Sequence, residues 1–95
     1  MKSIKDSFEE KAQMFNLLAN PIRICIVFSL FLKGASTVNE IQGCANVSQS
    51  SVSQHLAKLK AGGIVKSERH ANEMHYELVN DEVKELLKLL FSEQV

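Results

Sequence analysis

The chain has 95 residues, of which 45% are hydrophobic, and its 11 basic side chains equal its 11 acidic ones in number. These values are typical of one compact domain with a small core, and they exclude a disordered, collagen-like or repetitive protein. The charge is uneven, because residues 48–76 carry four basic and two acidic side chains, whereas residues 77–95 carry two basic and five acidic ones. The first of these segments is therefore the predicted contact surface for a polyanion.

The N-terminus lacks the apolar segment of a signal peptide, and the longest apolar stretch, residues 24–32, is too short to span a bilayer. We therefore predict a cytoplasmic protein without a membrane partner. Its two cysteines, Cys25 and Cys44, form no C-x-x-C motif and are expected as reduced thiols. They are either inert core residues or a redox-sensing pair, and the second reading requires a Cα separation of about 6 Å.

Three helices are predicted in the first half of the chain. Apolar residues at helical spacing indicate the first over residues 4–18. Asn20 is a predicted N-cap followed by Pro21, so a second helix begins there, and its body to residue 32 is apolar on almost every side. This helix is the predicted centre of the core. A short third helix is expected over residues 37–43, with Thr37 or Ser36 as its cap.

The second half of the chain begins with a turn at residues 43–47 and a fourth helix, which is capped by Ser48 and ends at Gly62-Gly63. Residues 64–70 and 74–79 then indicate a β-hairpin, with Asn72 expected to adopt a positive φ in the connection. Asp81 is the predicted cap of a last helix over residues 82–92.

The resulting α-α-α-α-β-β-α order, mainly α with a small β-hairpin, is that of a winged helix-turn-helix. We expect a single domain over residues 1–95, with the helix-turn-helix at about 37–61, the wing at about 64–79, and dimerisation helices at about 4–18 and 82–92. The first and last helices carry more apolar surface than so small a core can cover. The residues predicted to face a second copy of the chain are Phe8, Phe15, Val83, Leu86, Leu87 and Leu90.

The fourth helix has an apolar stripe on one face and small polar side chains on the other. The stripe is formed by Val52, Leu56 and Leu59. The opposite face carries Ser50, Gln54, Ala57 and Lys58, with Gln49 and Ser53 at its edges. Serine and glutamine can approach and hydrogen-bond base edges in a DNA major groove. A winged-helix protein–protein interaction module is the alternative, but that function would favour exposed apolar anchors on this face.

These residues resemble a known family. The stretches 18–23 (LANPIR), 47–56 (VSQSSVSQHL), 63–66 (GIVK) and 76–78 (YEL), together with Leu59, are similar to those of the ArsR/SmtB winged-helix repressors, over roughly residues 8–90. The resemblance implies a homodimeric transcriptional repressor that binds a palindromic operator in double-stranded DNA. It places Gln49, Ser50, Ser53 and Gln54 at the base-contacting positions.

Other DNA contacts are predicted around these four positions. Lys58, Lys66 and Arg69 are candidate contacts to DNA phosphates. His55 lies at the border of the two faces and either contacts DNA or packs against the fold. Arg23 matches an arginine of the family and either contacts a phosphate or makes a structural hydrogen bond.

The resemblance also raises the question of metal sensing, which many relatives perform. The family's Cys-x-Cys thiolate site falls on Thr37 and Asn39, and its interhelical zinc site falls on Asp81 and Val83, so neither ligand set is complete. His70 and His75 on the hairpin lack a third ligand and are expected to be surface histidines. No cofactor, metal or enzymatic activity is therefore predicted, and a redox response of Cys25 and Cys44 remains the alternative means of regulation.

Overall fold

The computed structural model describes residues 3–41 and 43–94. These residues form five α-helices, a single 3₁₀ turn and a two-stranded antiparallel sheet, which confirms the predicted fold class. The elements are α1 (Ile4–Leu18), α2 (Pro21–Lys33), α3 (Val38–Ile41), the 3₁₀ turn (Cys44–Asn46), α4 (Gln49–Ala61), β1 (Val65–His70), β2 (Glu73–Leu78) and α5 (Asp81–Leu90).

Helix α2 lies at the centre of the core, as its apolar sequence predicts. Asn20 begins the helix, because its side-chain oxygen accepts hydrogen bonds from the backbone N–H groups of Ile22 (2.9 Å) and Arg23 (3.2 Å). Three side chains of α2 are buried, and the predicted stripe of α4 packs against them with no exposure. The residues that join the two helices are Ile26, Val27, Leu30, Val52, Leu56 and Leu59. This packing turns the polar face of α4 outward.

Helix α3 is shorter than predicted. Thr37 is its cap, and α3 ends at Ile41 instead of continuing to residue 43. Gln42, inside the predicted helix, lies outside the described residues. The predicted turn that follows contains the 3₁₀ turn between Gly43, with a φ of 119°, and Val47. The connection between α3 and α4 is therefore partly helical.

The hairpin pairs Val65 with Leu78 and, at its tip, His70 with Glu73. The tip loop is thus two residues long, and the prediction that Asn72 adopts a positive φ is wrong, because Ala71 does so with a φ of 56°. In a two-residue hairpin loop the favoured turns require a positive φ at the first loop position, which is Ala71.

The segment before α3 adds a third strand-like partner to the hairpin. Ser36 and Tyr76 exchange two backbone hydrogen bonds of 2.9 and 2.8 Å. A two-stranded hairpin alone is marginally stable in water, so this bridge fixes the hairpin on the helix-turn-helix.

Helix α5 is capped by Asn80, whose side chain accepts a hydrogen bond of 3.0 Å from the backbone N–H of Val83. The prediction that Asp81 is the cap is therefore wrong by one residue. Val83 and Leu87 are buried in the core of their own chain, at 0% and 3% exposure. We therefore remove these two side chains from the predicted dimer surface, since a side chain already covered within the protomer has no area left for a partner.

The expectation of reduced thiols is also wrong in this structure, because Cys25 and Cys44 form a disulfide with a Cα separation of 5.8 Å. The bond joins the first half of α2 to the first residue of the 3₁₀ turn. Among the described residues no single helix is long and apolar enough to cross a membrane; α1 and α2 pass that test only as a pair bent by 94°.

Candidate nucleic-acid interface

The polar face of α4 is built from its N-terminus. Ser48 begins the helix, because its hydroxyl oxygen accepts a hydrogen bond of 3.2 Å from the backbone N–H of Ser51. The buried stripe then fixes the rotation of the helix about its axis. The four residues predicted to contact bases, Gln49, Ser50, Ser53 and Gln54, are all exposed. Together they form a continuous polar surface without a large apolar side chain.

The four side chains differ in their existing partners. The side-chain amide of Gln49 donates a short hydrogen bond to the side-chain oxygen of Asn39 on α3. The hydroxyl of Ser50 lies 3.2 Å from that of Ser48. Within the described part of the chain, Ser53 and Gln54 have no side-chain hydrogen-bond partner. These two can therefore bind a new partner without losing an internal bond, whereas Gln49 is held by α3.

One flank of this face carries three basic side chains. His55 and Lys58 project from α4, and Arg23 projects from the first turn of α2. Burial lowers the pKa of His55 below its ordinary value, and repulsion from Arg23 and then Lys58 lowers it further. His55 is therefore neutral near pH 7. The buried atoms Arg23 Nε and His55 Nδ1 have no hydrogen-bond partner among the residues that the structure describes.

The hairpin carries mixed charge. Lys66 lies 3.4 Å from the carboxylate of Glu77 directly across the sheet, so this predicted phosphate contact is partly neutralised. Arg69 is exposed and forms no ion pair with a described residue. Basic charge is therefore available on β1, but acidic neighbours reduce it.

The two histidines of the hairpin contact each other. The rings of His70 and His75 meet edge to face with centroids 4.8 Å apart, and His70 Nε2 lies 3.8 Å from the Glu68 carboxylate. The described residues contain no group of three His, Cys, Asp or Glu side chains with the geometry to hold a metal ion.

Three features of the site depend on how separate elements pack together, which the sequence alone does not show. The Asn39–Gln49 hydrogen bond joins helices whose relative placement only the fold defines. The Cys25–Cys44 disulfide joins α2 to the 3₁₀ turn that precedes α4, and the sequence alone states only the Cα separation that such a bond requires. The approach of Arg23 to His55 likewise depends on the packing of α2 against α4.

Comparison with known proteins agrees with this geometry. Residues 20–67 match the family described as "Bacterial regulatory protein, arsR family". The chain is 36% identical over 84 residues to the transcriptional repressor PagR of Bacillus anthracis, which covers 88% of this chain and 84% of PagR. The crystal structure of PagR superposes with a TM-score of 0.81 at 34% identity, covering 90% of this chain and 98% of that one.

Two further solved structures are similar. The first is reduced HlyU from Vibrio cholerae, with a TM-score of 0.80 at 30% identity, covering 96% of this chain and 98% of HlyU. The second is the homodimeric winged helix-turn-helix DNA-binding domain of Mb0332 from Mycobacterium bovis. Its TM-score is 0.79 at 25% identity, and the match covers 95% of this chain and 83% of that one. A DNA-binding fold with an exposed polar α4, together with these matches, leads to one conclusion: the chain belongs to the ArsR family of winged helix-turn-helix transcription regulators.

Proposed function

We propose that the chain is a homodimeric repressor that blocks transcription by binding a palindromic operator in double-stranded DNA. Gln49, Ser50, Ser53 and Gln54 contact the bases, and Lys58, Lys66 and Arg69 contact phosphates. The observation that supports this most directly is the exposed row of serine and glutamine side chains on α4, two of which have no hydrogen-bond partner among the described residues. The action of such a regulator on chromosomal DNA supports a cytoplasmic location.

The apolar surface of α1 and α5 supports the homodimer. Phe8, Phe15 and Leu90 are 64%, 54% and 62% exposed, which is unusual for side chains of this size. A groove of about 440 Å³ lies beside them between α1, α2 and α5, and Leu86 and Phe91 line it. A second copy related by a two-fold axis would cover this surface. It would also present two α4 helices on one side of the dimer, as a palindromic site requires. The homodimeric Mb0332 domain supports the same arrangement.

The test compares base recognition with phosphate binding. DNA bound by the protein is first selected from random sequence, and dissociation constants are then measured on the selected duplex and on a random one. Gln54→Ala is expected to lose about 1 to 3 kcal/mol on the selected duplex and little on the random one, because only a base contact is removed.

Two control variants complete this test. Lys58→Ala is expected to weaken binding to both duplexes and to reduce the salt dependence by about one phosphate, a slope change of roughly 0.9. Gln94→Ala removes the same side chain as Gln54→Ala beyond α5 and should change neither affinity. Equal losses on both duplexes for Gln54→Ala would contradict its assignment to base recognition.

The disulfide supports a second candidate function, a repressor that responds to thiol oxidation. Stable disulfides are rare in the cytoplasm, where those that form are usually reversible. The bond joins α2 to the 3₁₀ turn just before α4, so its formation constrains the element that positions the base-contacting helix. In the proposed step, Cys25 and Cys44 each lose a proton and one electron as the S–S bond forms. A low-molecular-weight disulfide accepts both electrons and both protons and is cleaved to two thiols.

This function is tested by measuring operator binding after reduction and after oxidation by such a disulfide. We expect the two dissociation constants of the wild type to differ at least fivefold. Cys25→Ser and Cys44→Ser should each bind equally in both conditions. If the oxidised and reduced wild type bind equally, the disulfide has no regulatory role.

A further inference from the structure

Two buried side-chain polar atoms in the described part of the chain lack a hydrogen-bond partner, one on α4 and one on α2 beside it. They are Nε of Arg23 and Nδ1 of His55. Buried polar groups in proteins are nearly always paired, because an unpaired one costs free energy. Both residues remain partly exposed, so the rest of each side chain is open to a ligand.

The positive charges on this flank of α4 also lack acidic partners among the described residues. The described ion pairs use other basic residues, and none includes Arg23 or Lys58. Both of these cations disfavour the charged form of His55, and no carboxylate of a described residue favours it. Arg23 and His55 are partly buried and Lys58 is exposed. A basic cluster without a counter-ion among the described residues has the chemistry of an anion site, and an arginine fork matches phosphate geometry.

We propose that Arg23, His55 and Lys58 form one binding site for a single phosphate of the DNA backbone. The inference rests on the proposed function, since the phosphate is that of the bound operator. The cluster lies on the flank of α4 opposite Asn39, beside the face that carries Gln54. When a helix lies in the major groove, the phosphate backbone runs along its flanks, so this position fits a phosphate and not a base.

The site makes DNA binding dependent on pH. In the unbound protein His55 is neutral near pH 7, because burial and two neighbouring cations disfavour its charged form. A bound phosphate adds negative charge at this place and favours the protonated imidazole. Binding therefore takes up a proton, and affinity should rise as pH falls from 8 to 5.5.

The surroundings of His55 contain no competing acid among the described residues. Its charged neighbours are Arg23 from α2 and Lys58 from α4. From α1, Gln13, Asn16 and Leu17 line a groove with Lys58, and none of the three titrates. Glu40 on α3 is bonded to Thr37 on the other side of α4. The pH response is thus assigned to His55.

The experiment measures dissociation constants on the selected and random duplexes between pH 5.5 and 8. When the pH falls from 7.5 to 5.5, the dissociation constant of the wild type should decrease at least fivefold more than that of His55→Gln. The effect is expected on both duplexes, because every duplex supplies a phosphate. His70→Gln, which removes a histidine from the hairpin, is the matched control and should keep the wild-type response. A duplex with one uncharged methylphosphonate at the contacted position of each half-site should abolish the difference between wild type and His55→Gln, because each protomer of the dimer contacts one of these phosphates.

A second measurement does not depend on any variant binding DNA. The pKa of His55, followed by NMR in the wild type, should rise when the duplex is added. In unbound Arg23→Gln the pKa of His55 should be higher than in the wild type, since one repelling cation is gone.

If the protein binds neither duplex at any pH, the proposed function fails. If it binds but His55→Gln keeps the wild-type pH response, or His70→Gln loses it, the phosphate site is wrong and the repressor function stands.

Discussion

Thr37 and Glu40 stabilise the first turn of α3 through reciprocal hydrogen bonds. The backbone N–H of Thr37 donates to Glu40 Oε1 at 2.9 Å, and the backbone N–H of Glu40 donates to Thr37 Oγ1 at 3.3 Å. This pair is a capping box. The backbone bond from Thr37, followed by the bond from its hydroxyl, lowers the pKa of the Glu40 carboxyl below its ordinary value of 4.5. The stabilisation is therefore present above that value and is lost as pH falls through the lowered pKa.

Glu40→Gln should accordingly have a lower melting temperature than the wild type at pH 6 to 7, because the amide is a weaker acceptor than the carboxylate. Below about pH 4.5 the difference in melting temperature should decrease, since protonation of Glu40 makes the wild-type side chain a weaker acceptor as well. Thermal unfolding followed by circular dichroism from pH 3 to 7 measures this. Thr37→Ser keeps the hydroxyl and should keep the wild-type pH dependence. A gap that stays constant over this range would show that the carboxylate charge does not matter.

The sequence predicted individual residues well where one helix determines their position. The exposure of Gln54 and the burial of Leu56 both follow from the periodicity of α4. It predicted them poorly where two helices meet, since the surroundings of Arg23 and His55 depend on how α2 crosses α4. The state of the cysteines was missed for the same reason, because a disulfide requires a distance between two elements.

At the scale of elements, caps determined which boundaries were predictable. Helix α4 begins after Ser48, as predicted, and α2 begins after Asn20. Before α5 two successive residues, Asn80 and Asp81, are both good caps, and the sequence alone does not decide between them. The structure selects Asn80, which leaves Asp81 in the first turn, where a negative charge favours the helix dipole.

Asn80→Ala should therefore lower the free energy of unfolding by about 1 kcal/mol, because it removes the acceptor for the backbone N–H of Val83. Asp81→Ala should cost only a few tenths of a kcal/mol, because it removes a helix-dipole interaction and a long, exposed ion pair of 3.9 Å with Lys84. Urea unfolding of the two variants at one protein concentration measures the difference. Equal costs, or a larger cost for Asp81→Ala, would contradict the assignment of the cap.

At the scale of the whole molecule, most of the exposed large apolar residues that the structure describes lie on the first and last helices. Phe8, Phe15, Leu89 and Leu90 lie on α1 and α5, whereas Leu32 lies at the far end of α2 and is 52% exposed. The sequence predicted which helices carry the apolar excess. It did not predict which residues of α5 are buried in the chain's own core, since that depends on the contact of α5 with α2.

Leu90→Glu should convert the protein to monomers that stay folded and lose specific DNA binding. The substitution places a charge in the proposed interface, whereas Leu90 contributes little to the protomer core at 62% exposure. Sedimentation velocity at micromolar concentration gives the oligomeric state, and circular dichroism reports the fold. Leu32→Glu makes the same change outside the interface and should remain dimeric. A monomeric wild type would rule out the proposed assembly.

The bridge between Ser36 and Tyr76 restricts how far the wing and α4 can adjust to the shape of a DNA duplex. Because the hairpin is hydrogen-bonded to the segment that leads into α3, the wing and α4 are held at a fixed spacing. A duplex whose groove width or curvature does not match that spacing must deform to contact both. The energy of this deformation depends on the stiffness of each base step. Base pairs that no side chain touches therefore influence which sites are occupied, and flexible pyrimidine–purine steps at those positions should be enriched among the selected sequences.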